Sequence, residues 1–255
     1  MIIKNEIPIL EFDDEKRAVL EPTHEGLSIR LPEKCVYLFS DSFVENFALS
    51  NGAEKVATFE SATKEFPVFV MNYHGEEIVI CQAPVGAAAA AQLLDWLIGY
   101  GVRKIIASGS CGCLEEFPEG YFLVLAKALR GEGTSYHYAP PSRFIEISEK
   151  ARSAIESAIK SDGMKYLEVT TWSTDGFYRE TAEMIAYRKS EGCSVVEMEC
   201  SALAAVSAFR GAVFGMILYT ADSLADTGNY DERNWGGDSE ECAVRLALES
   251  LRSLE

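Results

Sequence analysis

The sequence has few basic residues and only three histidines. Its 23 Lys and Arg residues stand against 40 Asp and Glu residues, which gives a formal net charge of −17 at pH 7. Proteins that bind nucleic acids or anionic membranes carry a basic surface, so neither kind of partner is expected. A small anionic substrate is not excluded, because it responds to local groups more than to the distant field.

Long apolar stretches are also missing. No run approaches the ~20 residues that a transmembrane helix needs, and the segment from Met1 to Leu20 is rich in charge, unlike a secretory signal. The seven cysteines form an odd number, lie in apolar segments and include no CxxC pair, a usage typical of reduced thiols. We therefore expect a cytoplasmic protein.

The sequence also lacks a recognisable metal-binding or redox motif. The pair Cys111-Gly-Cys113 has no histidine near it in the sequence, and its spacing differs from that of the common zinc and redox motifs. We interpret these cysteines as ordinary buried thiols, and we expect neither a metal nor a cofactor.

What the sequence does contain is an alternation of short apolar runs with amphipathic or alanine-rich stretches. Strands are predicted over residues 35–40, 55–61, 67–73, 77–83, 103–107, 121–128, 166–171, 194–196 and 213–220. Helices are predicted from Asp41 or Ser42 to Asn51 and over residues 87–100, 147–160, 180–191, 200–209 and 238–251. The pattern predicts an irregular arm, residues 1–30, and then one α/β domain, residues 31–255, whose mixed, largely parallel sheet has helices on both faces.

Polar residues follow three of these strands, at the sheet edge where α/β proteins bind ligands. The first such segment, Ser108-Gly-Ser-Cys-Gly112, comes directly after strand 103–107. Its small residues let backbone N–H groups and the Ser110 hydroxyl converge on an anion. A glycine-rich turn in this place is also common for structural reasons alone.

The other two segments place carboxylates at strand ends. Glu197 and Glu199 flank Met198 directly before an apolar helix. Glu199 could be a helix N-terminal acid, but a buried carboxylate needs a partner, and the vicinal diol of a ribose suits it, with Met198 against the sugar. Asp222 follows strand 213–220, with Arg233 eleven residues further on; this acid could protonate a leaving base, or it could form a helix cap or a structural ion pair.

In their order and spacing the three segments resemble a known pattern. SGSCGCL (108–114) is similar to the phosphate-loop segment of the nucleoside phosphorylase family, and VVEMECSALAAVSAFRG (195–211) to its Glu-Met-Glu ribose segment. TADSLAD (220–226) resembles the acid segment of its purine-specific and nucleosidase branches. The resemblance implies an enzyme that cleaves the N-glycosidic bond of a nucleoside, with purines preferred. Phosphate would be the co-substrate, and the products would be free base and ribose 1-phosphate.

The resemblance also implies a role for individual residues. The implied groups are Gly109 and Ser110 for phosphate; Met198 and Glu199, assisted by Glu197, for ribose; Phe177 and Tyr178 for the base; and Asp222, helped by Arg233, for protonation of purine N7. Catalysis would then come mostly from positioning and from stabilisation of charge.

Two further residues match positions that the family supplies across a subunit interface. Lys64 matches a phosphate-binding arginine, and His24 matches an arm histidine that reaches the 5′-hydroxyl of the neighbour's nucleoside. Such sharing requires at least a homodimer, or a higher homo-oligomer built from dimers, such as a hexamer.

The sequence departs from the family at two other phosphate-binding arginines, whose positions hold Val44 and Ala107. The Gln and Arg that read uracil in uridine phosphorylases fall near Thr181 and Glu183, so recognition of that type is absent. Three functions remain open: phosphorolysis, hydrolysis by a nucleosidase that uses water, and nucleoside sensing without catalysis.

Overall fold

Ten strands and six helices form the part of the chain that the computed structural model describes, which is residue 2 and residues 4–254. The strands are β1 (Lys34–Leu38), β2 (Glu54–Glu60), β3 (Glu65–Tyr73), β4 (Glu76–Gln82), β5 (Lys104–Cys113), β6 (Phe122–Gly131), β7 (Phe144–Glu146), β8 (Leu167–Thr174), β9 (Cys193–Glu197) and β10 (Val213–Ser223). The helices are α1 (Phe43–Ser50), α2 (Ala87–Gly99), α3 (Glu149–Ser161), α4 (Ala182–Ser190), α5 (Cys200–Arg210) and α6 (Glu240–Ser253).

All six predicted helices are confirmed, with shifts of a few residues at their ends. Asp41 accepts a hydrogen bond from the Phe43 N–H at 3.1 Å at the start of α1, and Thr181 caps α4 through the Met184 N–H. Helix α4 therefore begins two residues later than predicted, which leaves Glu180 in the preceding loop. No helix in the described ranges is long and apolar enough to cross a membrane.

Five strands close into a ring in the order β5, β10, β6, β8 and β9, with β9 returning to β5. From the first half of β5, strands β1, β4, β3 and β2 extend the sheet outward. The pairings described are five parallel and five antiparallel. The mixed sheet of the predicted α/β fold is therefore confirmed.

Helices cover the sheet on two faces. Helices α2 and α5 contribute to one apolar core cluster, and α1, α3 and α6 contribute to a second one. The first cluster is built from alanine and leucine, such as Ala90, Leu94 and Leu203, which are fully buried. Burial of this kind is the main favourable term in folding, and it fixes the start of α5 against the ends of β5 and β9.

The glycine-rich segment 108–112 is not a turn, contrary to the prediction, because β5 continues through it to Cys113. Its small residues serve close packing: a Cβ on Gly109 would lie 2.8 Å from Cβ of Phe39, and one on Gly112 would lie 2.8 Å from Cδ1 of Leu224. Strand β10 likewise runs three residues past its predicted end, so that Asp222 is part of the strand.

The second half of the arm contacts its own chain. The Lys16 ammonium donates to the Phe209 carbonyl at 2.9 Å, and Arg210 donates to the Lys16 carbonyl at 3.0 Å. Further along, the Trp96 indole N–H donates to the Glu25 carboxylate at 3.0 Å. The segment from Lys16 to Glu25 thus runs across α2 and α5.

Candidate active site

A cavity opens where β1 and β9 separate along the same side of β5. Strand β1 pairs with β5 as far as Ser108, and β9 begins to pair with it at Gly112. The intervening residues of β5 therefore have a strand partner only on the β10 side. The cavity has a volume of about 170 Å³. Its lining comprises Phe39, Val85, Gly109, Ser110, Cys111, Gly112, Phe177, Glu180, Val196, Glu197, Met198, Glu199, Met216, Asp222 and Trp235.

Glu199 is the residue directly before α5, and its side chain is only 5% exposed. Its carboxylate accepts a hydrogen bond from the Gly86 N–H, at the residue that precedes α2. Burial, and then the nearby Glu197, raise the pKa of Glu199 to about 8. Met198 and Glu199 therefore form one wall of the cavity, with a carboxyl group that lacks a cationic partner among the described residues.

Glu197 is held by four donors. One oxygen accepts from the backbone N–H groups of Glu199 and Cys200, at 2.7 and 2.6 Å. The other accepts from the hydroxyls of Ser173 at 2.5 Å and Thr171 at 3.2 Å. With both oxygens occupied, Glu197 holds the start of α5 and the backbone of Glu199 in place.

Asp222 lies on the wall formed by β10 and is 6% exposed. Tyr230 donates a hydrogen bond to its carboxylate, and the positive charge of Arg233 also favours the ionised form. Burial outweighs both effects and raises the pKa of Asp222 above its ordinary value.

Arg233 acts on Asp222 from behind the cavity wall. Its guanidinium donates to the carbonyls of Ala221 at 3.1 Å and Phe117 at 2.8 Å, and it lies 3.5 Å from the Asp231 carboxylate. Within the described chain it donates no hydrogen bond to Asp222. Any help that it gives to Asp222 is therefore electrostatic.

Phe177 and Tyr178 differ in their position relative to the cavity. Phe177 and Tyr178 belong to a single 3₁₀ turn, Phe177–Arg179, whose successive side chains point about 120° apart. Phe177 lines the cavity, whereas Tyr178 is 93% exposed and lies outside the lining. The expectation that both flank the base stays a prediction, and in this chain the cavity lining includes Phe177 alone of the two.

Two lining residues come from loops and were not predicted from the sequence. Trp235 comes from the loop after β10 and is 48% exposed, with a positive φ of 54°. Glu180 follows the 3₁₀ turn of Phe177, and burial together with the charge of Asp222 raises its pKa to about 7. The only sequence signal for Glu180 is an acid directly before the cap of α4.

The residues predicted to bind phosphate lie in two different places in this chain. Gly109 and Ser110 line the cavity. Lys64 lies in an adjacent groove, where its ammonium donates to the Gln82 side chain at 2.8 Å. Val44 and Ala107, the positions that lack arginine, are buried in the core. Consequently no Lys or Arg side chain of the described residues lines the cavity.

His24 lies further away, in a groove formed by the arm together with α2 and α5. Its predicted contact with a nucleoside in a neighbouring subunit stays a prediction. No cluster of three or more His, Cys, Asp or Glu side chains, over residue 2 and residues 4–254, has a geometry that could hold a metal ion.

Comparisons with known proteins show the family of this chain. A model of the phosphorylase superfamily matches residues 35–252. A guanosine phosphorylase of Halorubrum lacusprofundi is 25% identical over 203 residues, which cover 75% of this chain and 82% of that protein. The uridine phosphorylase of Escherichia coli is 23% identical over 208 residues, covering 75% and 81% of the two chains.

Solved structures share the fold. Purine nucleoside phosphorylase from Toxoplasma gondii, in complex with immucillin-H, superposes with a TM-score of 0.75 at 20% identity and covers 87% of this chain and 90% of its own. An AMP nucleosidase from Bacteroides thetaiotaomicron gives a TM-score of 0.68 at 23% identity, with 87% and 88% covered. The family model begins within β1 and spans the other nine strands and the ribose segment, and the resemblance found in the sequence is confirmed. The chain belongs to the phosphorylase superfamily.

Proposed function

We propose that this protein cleaves the N-glycosidic bond of purine nucleosides. One observation carries the proposal: Met198 and Glu199 form one wall of the cavity, and Phe177 and Asp222 line it as well. A ribose diol placed against Glu199 leaves the base beside Phe177 and within reach of Asp222. The ribose would then contact Met198 and Glu199, and the base would contact Phe177 and Asp222.

The raised pKa of Asp222 suits its proposed task. A purine leaves poorly as an anion, so that an acid at N7 lowers the barrier as the glycosidic bond stretches. Burial makes Asp222 hold its proton more firmly than an exposed aspartic acid does, and the proton is then available for N7. The sugar passes through a cationic state, which a carboxylate at Glu199 stabilises through the diol.

Phosphate is the proposed nucleophile, and β5 offers it a place. Along a strand the hydrogen-bonding groups alternate between the two sides. The Ser108 carbonyl accepts from Phe39 on the β1 side at 2.9 Å, so the N–H of Ser110 faces the same side, where neither β1 nor β9 continues. Its hydroxyl supplies a second donor. Lys64 from a second subunit would complete the anion site.

A second candidate function is hydrolysis, which one observation favours. The cavity lining carries the carboxyl groups of Glu180, Glu197, Glu199 and Asp222, but no cationic side chain within the described chain. A phosphate dianion is repelled by such a lining unless a neighbouring subunit supplies charge, whereas a water molecule is not.

Turnover with and without phosphate separates the functions. The purified protein is incubated with inosine, guanosine or adenosine, and free base, ribose and ribose 1-phosphate are quantified. Phosphorolysis predicts base release that depends on phosphate and equals the ribose 1-phosphate formed. Release of ribose at the same rate without phosphate would establish hydrolysis. Nucleoside binding without release of base would leave only a sensor.

We also propose that the active form is a cytoplasmic homodimer or a larger assembly of dimers. The groove of Lys64 shares Phe39 and Val85 with the cavity, and it shares Phe59 and Gln92 with the groove of His24. The cavity and the two grooves therefore form one continuous surface. A second copy seated on this surface would bring its own Lys64 and His24 next to the cavity.

A further inference from the structure

The cavity contains one acid that the proposed chemistry does not use. Glu180 lines the same cavity as Phe177, three residues before it in the chain, and Asp222. Its side chain is half-buried, and its carboxyl group has no hydrogen-bond partner in the described part of the chain. Every other lining acid has such a partner: Gly86 for Glu199, Tyr230 for Asp222, and four donors for Glu197.

An unpartnered acid beside a bound base selects the hydrogen-bonding edge of that base. A carboxylate is an acceptor only, whereas a carboxylic acid also donates. Guanine offers two adjacent donors, N1–H and the 2-amino group, which fit the two oxygens of a carboxylate. Adenine offers an acceptor at N1 beside the donor of its 6-amino group, which fits a protonated carboxyl group.

We infer that Glu180 reads the Watson–Crick edge of the purine and that its ionisation decides between a guanine-type and an adenine-type nucleoside. The inference rests on the proposed function, because it places the base between Phe177, Asp222 and Glu180. It adds the substrate class to that function: the ionised protein prefers 6-oxo-2-aminopurine nucleosides, and the protonated protein prefers 6-aminopurine nucleosides.

The surroundings of Glu180 put this change near neutral pH. Burial and then the charge of Asp222 raise the pKa of Glu180 to about 7. The other titratable and charged groups near it are Tyr230 in the loop after β10, Glu197 and Glu199 in the same cavity lining, and the adjacent Arg179. Guanosine and adenosine present the same ribose and the same N7 to these groups. A group that titrates next to the ribose or N7 therefore changes both affinities by the same factor, and this factor drops out of their ratio. The pH dependence of the ratio reports only the group at the Watson–Crick edge.

The test is calorimetric titration with 9-deazaguanosine and 9-deazaadenosine between pH 5.5 and 8.5. Both ligands have a carbon–carbon glycosidic bond and cannot be cleaved, so that binding is measured apart from turnover. In the wild-type protein the preference for the guanine ligand should rise by up to about tenfold per pH unit across this range. In Glu180→Gln the ratio should not change with pH, because the amide both donates and accepts without titrating.

Glu183→Gln is the matched control, since Glu183 is exposed on α4 and does not line the cavity. It should keep the wild-type pH dependence, and all three proteins should be folded at the temperature of the titrations. A ratio that does not change with pH in the wild type, a Glu180→Gln variant that keeps the wild-type slope, or absence of binding by both ligands would each overturn the inference. Binding with the expected slope but no release of base from guanosine would instead refute only the proposed function.

Discussion

Asp222 is the single residue on which the proposed purine chemistry depends most. Asp222→Asn keeps a polar side chain of the same shape but cannot deliver a proton. We expect kcat on purine nucleosides to fall by ~10²–10⁴-fold, the usual contribution of a general acid, while KM changes little. The measurement is steady-state kinetics on inosine and on 4-nitrophenyl riboside, whose leaving group departs without protonation and should be nearly indifferent to the change.

Asp238→Asn is the matched control, because Asp238 is exposed and does not line the cavity. If Asp222 were only part of a structural ion pair, Asp222→Asn would lower the unfolding temperature and reduce the rate on both substrates equally. An equal loss would also remove the reason for a purine preference.

Glu199 is expected to hold the ribose through its ionised form, which the free protein populates above the raised pKa of about 8, so that binding is compared at pH 8.5. Charge-assisted hydrogen bonds contribute about 1.5–3 kcal/mol each, so Glu199→Gln should weaken nucleoside binding by roughly 10–100-fold with the fold intact. A variant with unchanged affinity would exclude Glu199 from the site. Calorimetric titration with an uncleavable nucleoside measures this change without interference from turnover.

The same variant has a second readout in the pH dependence of stability. The folded protein raises the pKa of Glu199 from 4.5 to about 8, so the folded state holds this proton more tightly than the unfolded chain does. The contribution of this proton to the free energy of unfolding is fully present below the unfolded pKa of 4.5. It is lost as the pH rises from there to the folded pKa of about 8. Thermal unfolding between pH 5 and 8.5 should therefore show a smaller decline in Tm for Glu199→Gln than for the wild type. An identical decline would contradict the assigned protonation.

At the scale of the element, the start of α5 is held by Glu197. In Glu197→Gln one of the two carboxylate oxygens is replaced by an amino group, which cannot accept a hydrogen bond. Two of the four donors therefore lose their partner: either the hydroxyls of Thr171 and Ser173 or the backbone N–H groups of Glu199 and Cys200. A buried donor without a partner costs about 1–3 kcal/mol. We expect urea unfolding to show a loss of this order, together with weaker nucleoside binding, because Glu199 is no longer fixed. Glu183→Gln, on exposed α4, should change neither quantity.

The elements that the sequence predicts well are those whose signal is local. The alanine-rich run at α2 and the amphipathic pattern of α3 and α6 mark helices within a few residues. Strand β5 could not be bounded in this way, since Ser108–Gly112 has the composition of a turn. It is extended because β10, which begins about a hundred residues later, pairs with it along its length. A pairing between segments so far apart cannot be predicted from local composition.

The same distinction applies to the candidate site. Met198, Glu199 and Asp222 lie at strand or helix ends, where position in the fold follows from position in the sequence. Glu180 and Trp235 come from loops, and their place in the lining depends on how those loops cross the end of the ring of strands. Strand β7, which is three residues long and pairs with residues 127–129 of β6, was missed for a similar reason.

At the scale of the whole molecule, the cavity of one chain is incomplete for phosphate. The net charge of −17 and the four lining acids disfavour a dianion, and the proposed remedy is Lys64 from a partner subunit. Lys64→Ala should then raise the KM for phosphate and lower turnover, although the cavity of its own chain is untouched. Its present hydrogen bond to Gln82 is exposed and contributes little to stability.

Mixing two impaired variants tests whether the site is shared. Lys64→Ala and Glu199→Gln are each expected to be slow as homodimers. In a mixed dimer, the cavity that contains Glu199 receives Lys64 from the other subunit, so that one of its two sites is intact. Random exchange of subunits makes ~25% of all sites intact, and phosphorolysis should recover to about a quarter of the wild-type rate after the two proteins are unfolded, mixed and refolded. The matched control mixes Glu199→Gln with Asp222→Asn, whose defects each lie in the cavity of their own chain, and it should recover nothing. Equal recovery in both mixtures, or none in either, would show that Lys64 does not act across an interface.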